Sequence, residues 1–62
     1  MNSGDIYTHI KTDNDYVILH DCIIKIDGEW KTGIVYKSLD QSVEKTFVRL
    51  QDNFLKSFKW KQ

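Results

Sequence analysis

Ile24-Lys25-Ile26-Asp27-Gly28-Glu29-Trp30-Lys31 is the stretch whose reading decides the fold. Asp-Gly between two alternating segments meets the demand of a type I′ turn, which holds both central residues at positive φ. The arms on either side should therefore run antiparallel as a hairpin. Upstream, Tyr16 to Ile26 is rich in β-branched and aromatic residues and reads as one long strand, bulged near His20 and Asp21. Downstream, the returning strand runs from Glu29 to about Ser38, with Trp30, Thr32, Ile34 and Tyr36 on one face. Gly33 marks a bend or bulge in it, of the kind found where a sheet curls into a barrel.

Working outward, Thr12 to Asp15 is turn chemistry, because Asp and Asn tolerate left-handed backbone. Before it, Ile6 to Lys11 alternates as a strand. Ile6, Thr8 and Ile10 take one face, and Tyr7, His9 and Lys11 form a row on the other. An aromatic ring, an imidazole and an ammonium in one row make a small recognition surface. The last third reads two ways. Leu39, Val43, Phe47, Leu50, Phe54 and Phe58 recur at steps of three and four, as in an amphipathic helix. Thr46-Phe47-Val48-Arg49-Leu50 reads equally as a short strand, and Phe54, Phe58 and Trp60 suit a second one.

With 62 residues the chain forms one small domain, residues 1–62. A domain of this size is marginally stable alone, so a well-packed β-barrel or a homodimer is expected. The single cysteine, Cys22, has no partner for an internal bridge and reads as a small buried hydrophobe in a reducing compartment. The polar start, Met1 to Asp5, lacks a signal-peptide pattern, and no apolar run is long enough to span a bilayer; the expected location is cytoplasmic, with no membrane partner. Net charge is zero, yet six acids face three lysines up to Lys31, and six bases face three acids from Thr32 onward. Neutrality disfavours a non-specific duplex binder, while the basic C-terminal cluster leaves single-strand nucleic acid or an anion open. Abundant lysine and isoleucine, with no alanine or proline, fit an AT-rich bacterial or phage genome.

Tyr7-Thr8-His9-Ile10-Lys11, Val35-Tyr36, Phe47-Val48-Arg49 and Phe54 come in an order that resembles the domain of unknown function 1653 family of bacteria and phages. Phe47 stands where that family commonly has Trp, and Leu50 where it has Pro. The resemblance implies an all-β fold: an SH3-like barrel of about five strands with a short 3-10 turn near Leu50 to Asn53. It favours strands over an α+β arrangement with a C-terminal amphipathic helix. The family's function is not established, so the resemblance supplies no activity.

In such a barrel Tyr7, His9, Lys11, Tyr36 and Arg49 converge as a ligand-binding face. Arg49 would offer forked donors to a phosphate or carboxylate, Lys11 a flexible charge, and the tyrosines stacking and hydroxyl donors. The competing structural role is a hydrogen-bond network in which His9 and Arg49 pin the sheet. Trp30 reads as a lid packed over the sheet or a partner contact, and Trp60 as a partner anchor or the closure of the barrel bottom. His9, His20, Asp21 and Cys22 lack metal-ligand spacing, and no serine sits in a nucleophile motif. The reading is a non-enzymatic binding module for an anionic, nucleotide-like ligand, with no metal or cofactor. A phage-type effector acting on a host protein is the alternative, and single-stranded nucleic-acid binding the third.

Overall fold

The computed structural model describes all 62 residues. The turn is the hairpin turn expected: Asp27 sits at φ 50° and Gly28 at φ 82°. It joins β2 (Asp15–Ile26) to β3 (Glu29–Ser38), which pair antiparallel from Ile26↔Glu29 to Tyr16↔Ser38. Before them stands β1 (Ile6–His9); after them come β4 (Thr46–Leu50), helix α1 (Gln51–Ser57) and β5 (Phe58–Trp60). The strands form one antiparallel sheet in the order β4-β3-β2-β1-β5. The fold is thus all-β and barrel-like, but β4 and β5 share no ladder and the sheet stays open. The helix spans the gap.

Three expectations are corrected. β1 ends at His9, so Ile10 and Lys11 belong to the following turn and Lys11 is exposed. The turn is held by local bonds, His9 N–H to Asn14 O and Asp13 N–H to His9 O, which outcompete two more residues of ladder. The bulge expected near His20 is present, as a register shift in β2 between Ile18 and His20, but the one expected at Gly33 is not. Gly33 serves close approach instead: a Cβ there would meet Ile24 Cδ1 at 2.6 Å and Cys22 Sγ at 3.0 Å. The expected 3-10 turn is a full α-helix of seven residues, lacking a side-chain N-cap and anchored by its buried Phe54. Both readings of the last third therefore hold part of the truth.

The concave face carries the core: Tyr7, Ile18, Ile34, Tyr36, Phe54 and Phe58 form one cluster, with Tyr16 and Phe47 packed against it. Phe54 is fully buried and stacks on Phe58 with ring centres 4.2 Å apart. The chain's long axis, 35 Å against 22 and 20 Å, matches a body continued by a two-stranded ribbon. β1 reaches β2 only up to Val17, and β4 reaches β3 only back to Gly33, so Cys22–Ile26 and Glu29–Thr32 have only each other.

Candidate functional site

Arg49 is the only arginine of the chain. β4 pairs Arg49 with Ile34 and sets Phe47 opposite Tyr36, so Arg49 lies on the concave side at the edge of the aromatic cluster. Helix α1 follows at once, which brings Asn53 and Ser57, one turn apart, under the guanidinium. Arg49 Nε donates to the Tyr36 hydroxyl at 2.9 Å, and Nη1 donates to Asn53 Oδ1 at 2.8 Å and to Ser57 Oγ at 3.3 Å. Its guanidinium carbon stands 5.4 Å from the centre of the Phe58 ring, within reach of a cation–π attraction. Nη2 has no partner within the chain.

Below this arginine is a cleft of about 120 Å³, lined by His9, Tyr16, Tyr36, Phe47, Arg49 and Phe58. Its walls are mutually braced. Tyr16 meets Tyr36, Phe47 and Phe58 edge-on at 5.4, 6.2 and 5.4 Å, and Tyr36 stacks with Phe47 at 5.6 Å. His9 arrives from the end of β1, where its pairing with Phe58 puts the imidazole 4.9 Å from that ring. His9 Nδ1 is 2.8 Å from the Thr12 hydroxyl, a hydrogen bond that fixes the ring's orientation. No carboxylate lines the cleft, and Arg49 forms no ion pair; the chain's two are Lys31–Glu29 and Lys61–Asp15. The Arg49 charge is therefore held in place by neutral partners and left uncompensated.

Of the five residues expected at the ligand face, His9, Tyr36 and Arg49 come together. Tyr7 shares the face but is spent in the core, packed edge-on against Phe54 at 5.2 Å. Burial, with Asp5 nearby, pushes its phenol above the ordinary range. Lys11 lies in the exposed turn, outside the cleft. Trp30 is not a lid: it is 63 % exposed, and Lys25 Nζ stands 5.7 Å from its ring centre. Trp60, 65 % exposed, closes no barrel bottom.

Sequence reasoning missed Tyr16, Phe47 and Phe58 as cleft walls, and Asn53 and Ser57 as the arginine's seat. The signal for the seat was partial, since Asn53 and Ser57 are spaced by four as on one face of a helix, but Arg49 reaches them from the strand before it. A second polar cluster lies on the outer side of the sheet. There Thr8 Oγ1 donates to Asp15 Oδ1 at 2.7 Å, and Lys61 Nζ donates to Asp15 Oδ2 at 2.6 Å. These two donors hold the Asp15 carboxyl below its usual range, and Asp15 raises Lys61 in turn. No three His, Cys, Asp or Glu side chains converge anywhere in the chain.

Comparison with known proteins finds no match to a family model, to a curated protein or to a solved structure. The cleft has to be interpreted on its own chemistry.

Proposed function

We propose that this chain is a non-enzymatic binding module that captures one planar or anionic group of a nucleotide-like ligand in the cleft beneath Arg49. One observation carries the reading: a single arginine, oriented by Tyr36, Asn53 and Ser57, keeps an unpaired Nη2 and an uncompensated charge beside an aromatic cleft. An arginine tied down beforehand loses little freedom on binding, and its planar fork suits phosphate or carboxylate. Tyr16, Phe47 and Phe58 offer ring faces and edges to a base. At about 120 Å³ the cleft is smaller than the roughly 300 Å³ at the low end of enclosing ligand sites. It therefore suits one group of a ligand whose remainder stays in solvent.

The reading of Trp60, Lys59 and Lys61 as a single-strand platform has less support, because Lys61 is held by Asp15. A protein partner is favoured by a different observation, the exposed side chains of Ile23, Trp30 and Trp60.

Titration calorimetry against nucleoside monophosphates, with the uncharged nucleosides alongside, tests the cleft. The expected result is binding that needs the phosphate and weakens roughly ten- to a hundredfold in Arg49→Lys, which keeps the charge but loses the fork. No binding by the wild type, or equal binding by Arg49→Lys and Arg49→Ala, rejects the reading.

A further inference from the structure

Away from the cleft, the outer edge of β2 is bare. β1 covers it only from Asp15 to Val17, and the N-terminal segment adds Gly4 N–H to Ile18 O and Ile18 N–H to Asp5 O. From Leu19 to Ile26 this edge meets no backbone partner. The hairpin fixes which groups point outward. A two-residue turn makes Ile26 and Glu29 a hydrogen-bonded pair, and pairs alternate from there. Ile24↔Lys31 and Cys22↔Gly33 then bond across the ribbon. Asp21, Ile23 and Lys25 are left to aim N–H and C=O outward.

His20 Nδ1 is 2.9 Å from the Asp21 carbonyl, whose second lone pair stays open. Ile23 is 68 % exposed, and Asp21 and Lys25 are also exposed, with no side-chain hydrogen bond or ion pair of their own. A bare edge reading Cys22-Ile23-Ile24-Lys25-Ile26, with neither proline nor bulge and Lys25 as its one charge, is one that natural proteins blunt or cover.

We propose that it is covered by a second copy of this chain, β2 paired antiparallel with β2 about a two-fold axis through Ile23. In that register Asp21 faces the partner's Lys25, and Lys25 faces the partner's Asp21. All are outward-bonding positions, so the ladder and the charges demand the same alignment. Directly opposed cross-strand charges stabilise when unlike and destabilise when alike. Centring on Cys22 or Ile24 loses both ion pairs, and centring on Asp21 or Lys25 sets like charges face to face. The Ile23 register alone opposes Asp21 and Lys25 twice. It also turns two lone strands, marginal by themselves, into a four-stranded ribbon joining two bodies. The two clefts are left out of the contact, so the dimer stands or falls independently of the ligand reading.

Sedimentation equilibrium of the full chain up to about 100 μM, a range suited to a small interface, tests it with a charge swap. Asp21→Lys and Lys25→Asp singly should each weaken dimerisation roughly tenfold or more, and the double variant should return to within about threefold of wild type. Circular dichroism should show the same fold in all four proteins. A wild type that stays monomeric, singles that leave the dimer unchanged, or a double variant that fails to restore it would each overturn the proposal.

Discussion

The body of the domain and the ribbon that leaves it are built from the same two strands and treat apolar residues in opposite ways. In the body, Ile18 and Ile34 are each 2 % exposed and the aromatic rings brace one another. In the ribbon, Ile23 and Trp30 are each more than 60 % exposed, although residues still alternate between faces beyond the shift at Ile18 and His20. Alternation guarantees a face for each side chain, not something to cover it. The body is covered because α1 and β5 fold back across the concave side. Nothing returns over the ribbon.

The sharpest way to break the contrast is to truncate one large side chain in each region. Phe54→Ala removes a fully buried ring and should cost about 3–5 kcal/mol. That is comparable with the total stability of a domain this small, so urea titration should find it largely unfolded. Ile23→Ala in the ribbon should stay within about 0.5 kcal/mol at monomer concentrations. A large loss there would mean that the ribbon carries the fold.

Between these extremes lies Gly33, where ribbon and body join. Gly33→Ala brings a methyl against Ile24 Cδ1 and Cys22 Sγ, and should cost about 1–2 kcal/mol in the same titration. Ile24→Ala should recover part of the loss, because the flexible end of that side chain is the nearest obstacle. A Gly33→Ala protein as stable as wild type would show that the strands can part freely.

The smallest effect belongs to the outer cluster of the body. Asp15 has a lowered folded pKa, so its contribution is present above the ordinary aspartate value and is lost as pH falls through the folded value. Lys61 runs the other way: raised in the fold, it contributes below its ordinary value and is lost as pH rises through the folded one. Thermal melts should thus show a shallow loss of stability from about pH 4 downward, flattened in Asp15→Asn. An unchanged acid limb in that variant would locate the dependence elsewhere.

Legibility in the sequence followed the range of the interactions. Asp27-Gly28 is local chemistry, and the hairpin and β3 came out where its neighbours placed them. Thr46–Leu50, which forms β4, read as strand or helix alike, and only the resemblance favoured the strand. Helix α1 was blurred because Phe54 and Phe58 satisfy both periodicities; the chain uses Phe54 on a helix and Phe58 on a strand, with the change of direction between them. At the site, Arg49, Tyr36 and His9 stood out as rare or paired side chains. Tyr16 and Phe58 did not, because a ring becomes a cleft wall only through the register of β5 on β1, a pairing between the ends of the chain. Lys11 was misplaced by two residues of strand that a turn took away. Arg49 fills the structural role weighed for it, and the bonds that pin it leave Nη2 free for the proposed ligand.

The meeting of β1 with β5 bears on how the domain assembles. Tyr7 pairs with Trp60, and Lys61 N–H bonds Ile6 O, so the two ends of the chain zip together at one edge of the sheet. The hairpin can form early from neighbours in sequence, whereas this last seam must close nearly the whole chain into a ring. Closing so long a loop is the entropically slow event, and contacts of such separation retard folding. The shortest strand, Phe58–Trp60, is therefore the clasp on which completion of the aromatic cleft waits.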